Sequence, residues 1–450
     1  MEFAEITAST LPVIRRHLAA DNRNISEYFL SYTWPWRSEV YSMQFGEAHG
    51  CGVYKYKLWG REYFSFPFGA GDKERAKDEI TAFAREKGLK PKFSPITRAE
   101  ADSLGANWLV RPVPAIFDYV YNQSDLAELK GSKYQQKRNH IHRFEDLGPW
   151  RYGAVNVEDC RRVLSGWVKD HPVDEELKME LKAIERILSM DDLMGLTGGV
   201  LYSNEKPVAF ALGEKMNDEM FLASYEKALP EVQGAFPMVN REFARREAKG
   251  FKFVNRAPDD NHPNLAKAKR SYHPAFMVEK FVAVESKARF AAKDDIDTII
   301  RLWREAFGDS EELVRFFVEH RLTADNCLLI DDKAMAFFLE MPDNTRYMYA
   351  LCTASDARGK GLATEIIRTA QQIYHEPITL VPGEAGLVGF YEKAGFKITS
   401  PACRRRVELD GFAREFYRIA TANEDPEVFA SGSTMSFPFM EGYEVAVPLN

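Results

Sequence analysis

At 450 residues the chain is long enough for about three globular units, taking roughly 150 residues per unit as a prior. Apolar residues make up 45% and charged residues 28%, the balance of an ordinary folded protein and not of a disordered one. A net charge of -7 argues against non-specific nucleic-acid binding by the whole chain, while leaving room for local basic patches. The first thirty residues contain Pro12, Arg15, Arg16, Asp21 and Arg23 with no apolar core, so no signal peptide is expected. No run of about 18 apolar residues occurs, which predicts no membrane span. The five cysteines (51, 160, 327, 352 and 403) are scattered without metal or redox spacing. That pattern predicts a reduced, cytoplasmic setting and no metal.

Within the first 284 residues, 118–121 reads as a strand and leads to the basic stretch 130–144. If that stretch is helical, Lys130, Lys133, Lys137 and Arg138 share a face. Such a face can bind phosphate, from a tRNA acceptor end or a phospholipid headgroup, or simply be solvated. His140 and His142 are two apart and cannot share a helical face, so they predict no metal site. Farther on, 198–201 and 207–213 read as strands around the turn 204–206. Glu226 follows within a Tyr-Glu-Lys-Ala run, then a helix over about 237–249, then Asn255 and Arg256. The run 264–274 places Lys267, Lys269 and Arg270 just ahead of Tyr272.

A boundary falls near 284–287. Beyond it come a short strand at 288–291 and a helix with Ile296, Ile299, Ile300, Trp303 and Phe307 at helical spacing. Gly308 ends that helix, and 311–320 forms another. Strands are expected at 327–330, 334–341 and 347–353. The turn Arg358-Gly359-Lys360-Gly361-Leu362-Ala363 then opens a helix whose apolar face carries Leu362, Ile366, Ile367, Ala370 and Ile373. A strand at 378–381 leads to Phe390-Tyr391-Glu392-Lys393-Ala394-Gly395-Phe396. In the tail, a helix at 411–420 and a strand at 443–449 are expected.

Glycines at a helix start let backbone N–H groups turn inward, a ready site for an anion such as a pyrophosphate. A Walker loop fails, because Leu362 follows Gly361 where Lys is required. A Rossmann fingerprint fails too, because Ala354 to Arg358 intervene after the strand and Thr364 replaces the third glycine. An ordinary helix start without a ligand is the remaining rival.

The strand, the Arg358-x-x-Gly361-x-Ala363 turn and the FYEKAGF segment together resemble the GNAT superfamily of CoA-dependent N-acyltransferases, over roughly residues 287–410. The resemblance implies an acyl-CoA donor, most simply acetyl-CoA, held by Arg358, Gly359, Lys360, Gly361, Leu362, Ala363 and Thr364. The backbone of Leu351, Cys352 and Thr353 would pair with the pantetheine and polarise the carbonyl. Tyr391 occupies the family's general-acid position, with packing as its rival role. Glu340 is a candidate base or a solvated strand-end carboxylate. Cys352 reads as core and not as a nucleophile. The family often carries an asparagine seven residues before the tyrosine, where this chain has Glu384.

The amino-terminal segments resemble the phosphatidylglycerol lysyltransferase C-terminal-like family, a tandem of GNAT-like folds. The likeness rests on Lys133 to His140 (K-x-x-x-K-R-N-H), Glu226-Lys227, Asn255-Arg256 and the run 268–274. It implies substrate binding by Lys137, Arg138, Glu226, Asn255, Arg256, Lys267, Lys269 and Tyr272. After Asn-Arg the family usually has an acidic residue, whereas this chain reads Ala257-Pro258-Asp259-Asp260-Asn261.

The expectation is therefore an α/β (α+β) chain of three GNAT-like units with mixed central sheets flanked by helices. Their expected spans are 1–117, 118–284 and 285–450, the last with a carboxyl-terminal extension. The expected activity is direct acyl transfer from acyl-CoA to a small amine, amino acid or peptide amine. The alternatives are an aminoacyl-tRNA-dependent aminoacyl transferase centred on the amino-terminal region, and a non-catalytic acyl-CoA or amino-acid sensor.

Overall fold

A computed structural model describes residues 1–401, except 8, 59, 170–173, 342–344, 381 and 383–384, together with 419 and 443–446. Three mixed sheets carry the fold, and in each a helix makes the crossover between a parallel strand pair. Parallel neighbours need such a crossover, so the three pairs mark three related strand–turn–helix–strand segments.

In the first sheet, Tyr41–Ala48, Cys51–Leu58 and Arg61–Phe64 are antiparallel neighbours. Arg61–Phe64 then pairs in parallel with Lys92–Ile96, Phe64 lying opposite Phe93. The crossover helix is Lys73–Glu86, started by Asp72, which accepts from the Arg75 N–H at 3.1 Å. The second sheet runs Phe276–Val278, Asp118–Asn122, Phe253–Asn255, Met220–Ala228, Lys206–Lys215, Thr197–Ser203, Trp150–Ala154. Alternation along Lys206–Lys215 sends Phe210 and Leu212 to one core and Ala209 and Ala211 to another. The first of these cores also holds Tyr28, Phe45 and Tyr54, so the two sheets share it. Residues 1–102 and 112–282 form this first compact unit.

The second unit comprises 103–111 and 283–450. Its sheet runs Arg289–Phe290, Cys327–Ile330, Ala334–Glu340, Arg346–Thr353, Ile378–Leu380, Tyr443–Ala446, Lys397–Pro401. Helix Ile296–Phe307 buries Ile299, Ile300, Leu302 and Trp303, and ends at Gly308, whose φ of +79° suits only glycine well. Ser310 caps Glu311–Arg321 by accepting from the Leu313 N–H at 3.2 Å. The tail strand is an interior strand of this sheet, between Ile378–Leu380 and Lys397–Pro401. The helix expected at 411–420 and Glu384 lie outside the described residues, Ile419 excepted.

One local expectation needs correction. The basic stretch is not one helix: Leu129 adopts φ +51° and Gly131 φ +86°, and the helix proper is Gln135–Glu145. Lys130 precedes it and Lys133 sits in the tight turn Ser132–Tyr134, so only Lys137 and Arg138 of the four cations are helical.

Candidate active sites

The third sheet contains the most open of the three crossover turns. Among the described residues its parallel strands pair at Arg346–Ile378 and Tyr347–Thr379, with no further register along Arg346–Thr353. On the other side, Met335 faces Cys352 while Phe337 faces Tyr349, so one extra residue sits on the longer strand. Ala350 absorbs it with φ +53°, a bulge that the sequence did not signal. Leu351, Cys352 and Thr353 therefore lie beyond the parallel pairing. Burial pushes the Cys352 thiol up to about 12, which suits a core thiol and not a nucleophile.

The turn that follows has Gly359 at φ +75° and Gly361 at φ +79°, and a side chain added at either would meet nothing within 4 Å. Arg358, Gly359, Lys360 and Gly361 are exposed, while Leu362, Ala363 and Thr364 are half-buried in the first turn of helix Leu362–Ile373. That helix buries Ile366, Ile367, Ala370 and Ile373, which anchors it against the core. Asp356 receives Lys333 at 2.6 Å, and the Ser355 N–H donates to Glu305 at 2.6 Å. Lys360 Nζ donates to the Asp356 carbonyl at 2.9 Å. The helix start at Gly361 carries no side-chain cap, and the space beside both glycines is open among the described residues. Both cations of the turn stand beside them.

Tyr391, in the short helix Val388–Lys393, is buried edge-on against Phe390 and Phe396, and burial raises its phenol above the ordinary range. Glu340 lies opposite Arg346 and forms an ion pair with it at 2.6 Å. Its position is at the far end of the strand from Thr353, roughly 23 Å at about 3.3 Å per residue. Arg346 is almost wholly buried and also meets Glu376 at 3.2 Å, which Arg111 approaches at 3.3 Å. Burial alone would raise the Glu376 carboxyl, but the two arginines outweigh it and hold it at about 2. The structure thus gathers the glycine-turn residues but ties Glu340 into a separate charged cluster.

In the first sheet the matching turn is closed by the chain itself. The Gly69 N–H donates to Asp21 Oδ2 at 3.0 Å, and the same oxygen takes Lys73 at 2.9 Å. Asp72 fills the helix start. Between the parallel strands stands Tyr28, fully buried, whose hydroxyl accepts from the Phe66 N–H at 3.1 Å and donates to the Pro95 carbonyl at 3.2 Å.

In the second sheet, Met220–Ala228 and Phe253–Asn255 pair from Met220–Phe253 to Leu222–Asn255 and then separate. Arg256 reaches Glu226 Oε2 with two donors, at 2.9 and 2.7 Å. Asn240 donates to the other Glu226 oxygen at 2.8 Å. Gly234 opens the crossover helix Ala235–Arg246 at φ +82°, but an added Cβ would sit 2.0 Å from the His140 carbonyl, so helix Gln135–Glu145 covers this start. Three buried polar atoms here find no partner among the described residues: Asn240 Oδ1, Arg256 Nη1 and the Tyr272 hydroxyl. Lys137 Nζ lies 4.0 Å over the Tyr272 ring and donates to Ser271 Oγ at 2.7 Å. Burial, aided by Arg256, brings the Lys137 amine down to about 8.

Glu226, Arg256, Lys137 and Tyr272 therefore converge, joined by Asn240, which the sequence reading missed. Its signal was a polar residue on the buried stripe of Met238, Val239, Glu242 and Phe243. The other named residues point elsewhere. Asn255 donates to Asp118 at 2.9 Å and accepts from the Ala257 N–H at 2.7 Å. Lys269 donates to the carbonyls of Arg256 and Ala257, at 2.8 and 3.1 Å, and to that of Pro258. Arg138 binds the Leu129 and Gly131 carbonyls, and Lys267 is exposed on helix Pro263–Arg270. Among the described residues there is no cluster of His, Cys, Asp or Glu able to hold a metal, and no helix long and apolar enough to cross a membrane.

Three mixed sheets, each with a parallel pair, a turn and a crossover helix, define a chain of GNAT-like units, the architecture of acyltransferase-type enzymes. Residues 21–284 match the phosphatidylglycerol lysyltransferase, C-terminal family, and this chain belongs to it. Residues 301–407 match the acetyltransferase (GNAT) domain. A conserved protein of unknown function from Bacteroides thetaiotaomicron is 30% identical over 64% of this chain and 100% of its own, with a TM-score of 0.59. L-PGS from Bacillus licheniformis is 15% identical over 63% of this chain and 94% of its own, with a TM-score of 0.47. No curated protein matches the chain.

Proposed function

We propose that this protein is an acyl-CoA-dependent N-acyltransferase whose third sheet carries the reaction, with acetyl-CoA as donor and a small amine, amino acid or peptide amine as acceptor. The observation that carries this reading is the open glycine turn: among the described residues, no capping side chain and no neighbouring backbone stands at this helix start, whereas Asp72 caps the first and the His140 carbonyl crowds the second. Inward amides at a helix start, with Arg358 and Lys360 beside them, suit a diphosphate. The parting of the strands after Tyr347 and Thr379 leaves the backbone of Leu351 to Thr353 available to a pantetheine-like chain.

The donor supplies an activated thioester carbonyl. Backbone N–H groups at the bulge would polarise its oxygen as the amine attacks. Tyr391 would return a proton to the leaving thiolate, and its raised phenol pKa keeps that proton in place until it is needed. Glu340 could act as base only after leaving Arg346. We further propose repeats at 1–117, 118–284 and 285–450, and a cytoplasmic setting, which suits the free, buried Cys51, Cys160, Cys327 and Cys352.

A second transfer reaction in the first unit has one observation in its favour, the unpartnered polar atoms around Glu226 and Arg256. An aminoacyl group delivered by tRNA would suit that pocket, and salt-sensitive tRNA binding that weakens on Lys137→Gln would support it. For the main reading, calorimetry with CoA is the test. Gly361→Asp would place a carboxylate in the turn, as the first sheet does, and should weaken binding at least about 100-fold. Unchanged affinity would overturn the assignment. Binding with no turnover on an amine panel would instead favour a sensor.

A further inference from the structure

The first sheet has a second feature, away from its closed turn. Register places Met43, Tyr56 and Tyr63 in one row across three strands, and Tyr63 and Lys92 each stand one residue before the parallel pair Phe64–Phe93, which extends the row to Lys92. Tyr41, Leu58 and Arg61 form the next row on the same face. Tyr56 and Tyr63 stack with centroids 5.0 Å apart and planes at 24°, and the Lys92 ammonium lies 5.4 Å from the Tyr63 ring centre.

Lys92 is only 3% exposed, yet among the described residues its ammonium makes no hydrogen bond and no ion pair. The Tyr56 hydroxyl is buried and likewise has no partner. Neighbouring acids are committed elsewhere. Glu62 points to the opposite face and pairs with Lys55 at 3.0 Å, and Glu27 pairs with Lys280 at 2.5 Å. Burial, aided by the like charge of Arg61, brings the Lys92 amine down to about 7. An interior lysine without a counter-charge is costly to keep unless something anionic offsets it.

We propose that this row is a binding site for an oxyanion, the phosphate or carboxylate of a small molecule, gripped by Lys92 with the Tyr56 hydroxyl as a second donor. The chemistry is one-sided: an ammonium and a phenol offer donors, no carboxylate acts on Lys92, and Glu27, whose charge reaches Tyr63, is held by Lys280, so an acceptor-only group fits. The stacked tyrosines supply a flat apolar wall for whatever carries the anion. Arg61 in the adjacent row adds positive potential. The site rests on no part of the third-sheet reading.

The experiment is calorimetry on the full chain carrying Gly361→Asp, so that the glycine turn contributes nothing. Inorganic phosphate and acetate are titrated at fixed ionic strength, with chloride as the control. At least one oxyanion should bind while chloride does not, and the tighter of the two identifies the group. Lys92→Gln should weaken that binding at least tenfold, and Tyr56→Phe about threefold. Absence of binding by both anions, or equal binding by wild type and Lys92→Gln, overturns the site. Should Lys92→Gln fail to fold, Tyr56→Phe decides, and unchanged affinity in that variant overturns the proposal.

Discussion

The first and third sheets reach the same point, a parallel strand followed by a glycine-bearing turn and a helix, and then treat it oppositely. In the first, Asp21 and Asp72 occupy the turn and Tyr28 stands between the strands. In the third, Gly359 and Gly361 face open space and the strands part after two residue pairs. The second sheet is intermediate: its helix start is covered by the His140 carbonyl, but polar atoms without partners surround its Arg256–Glu226 pair. One scaffold thus serves as a wall, as a polar pocket and as an open glycine turn. What separates them is whether the chain supplies its own groups to the backbone.

That contrast can be broken residue by residue. The largest effect is expected where a buried charge is orphaned. Arg256→Ala leaves Glu226 without its charged partner, with Asn240 alone still donating to it, and urea unfolding of the first unit should shift by about 3–5 kcal/mol. A shift within experimental error would mean that the pair does not hold the separated strands. Next comes chemistry without binding. Tyr391→Phe should lower turnover at least tenfold while CoA affinity stays nearly intact, because a positioned proton donor is typically worth about 10²–10⁴ in rate. Equal turnover would remove Tyr391 from the mechanism. The smallest change concerns the plugged sheet. Tyr28→Phe deprives the Phe66 N–H and the Pro95 carbonyl of their shared partner, for about 1–3 kcal/mol of stability. A neutral result would show that water replaces the hydroxyl and that the plug is weaker than its geometry implies.

Features written in a short stretch of chain were legible in advance. Helix Leu362–Ile373, its glycine start and the strands at 327–330 and 378–380 follow from local spacing, and the structure shows them close to the expected bounds. Lys137, Glu226, Arg256 and Tyr272 were each picked from separate motifs, and only the fold shows that they meet. Asn240 was missed because a polar residue within an apolar stripe looks like noise until its partner, fourteen positions earlier, is known. The four-cation face failed for a local reason, the left-handed residues Leu129 and Gly131, where a non-glycine residue gave no warning.

Order along the chain was enough to set the helices, the strand runs and the glycine bend, because hydrogen bonds between near neighbours and side-chain periodicity need no distant information. Whether each bend stays open was decided by residues far away, with Tyr28 acting across 38 and 67 positions and His140 across almost a hundred. Filling a backbone gap is a matter of which side chain arrives there, and arrival is a property of the packed sheets.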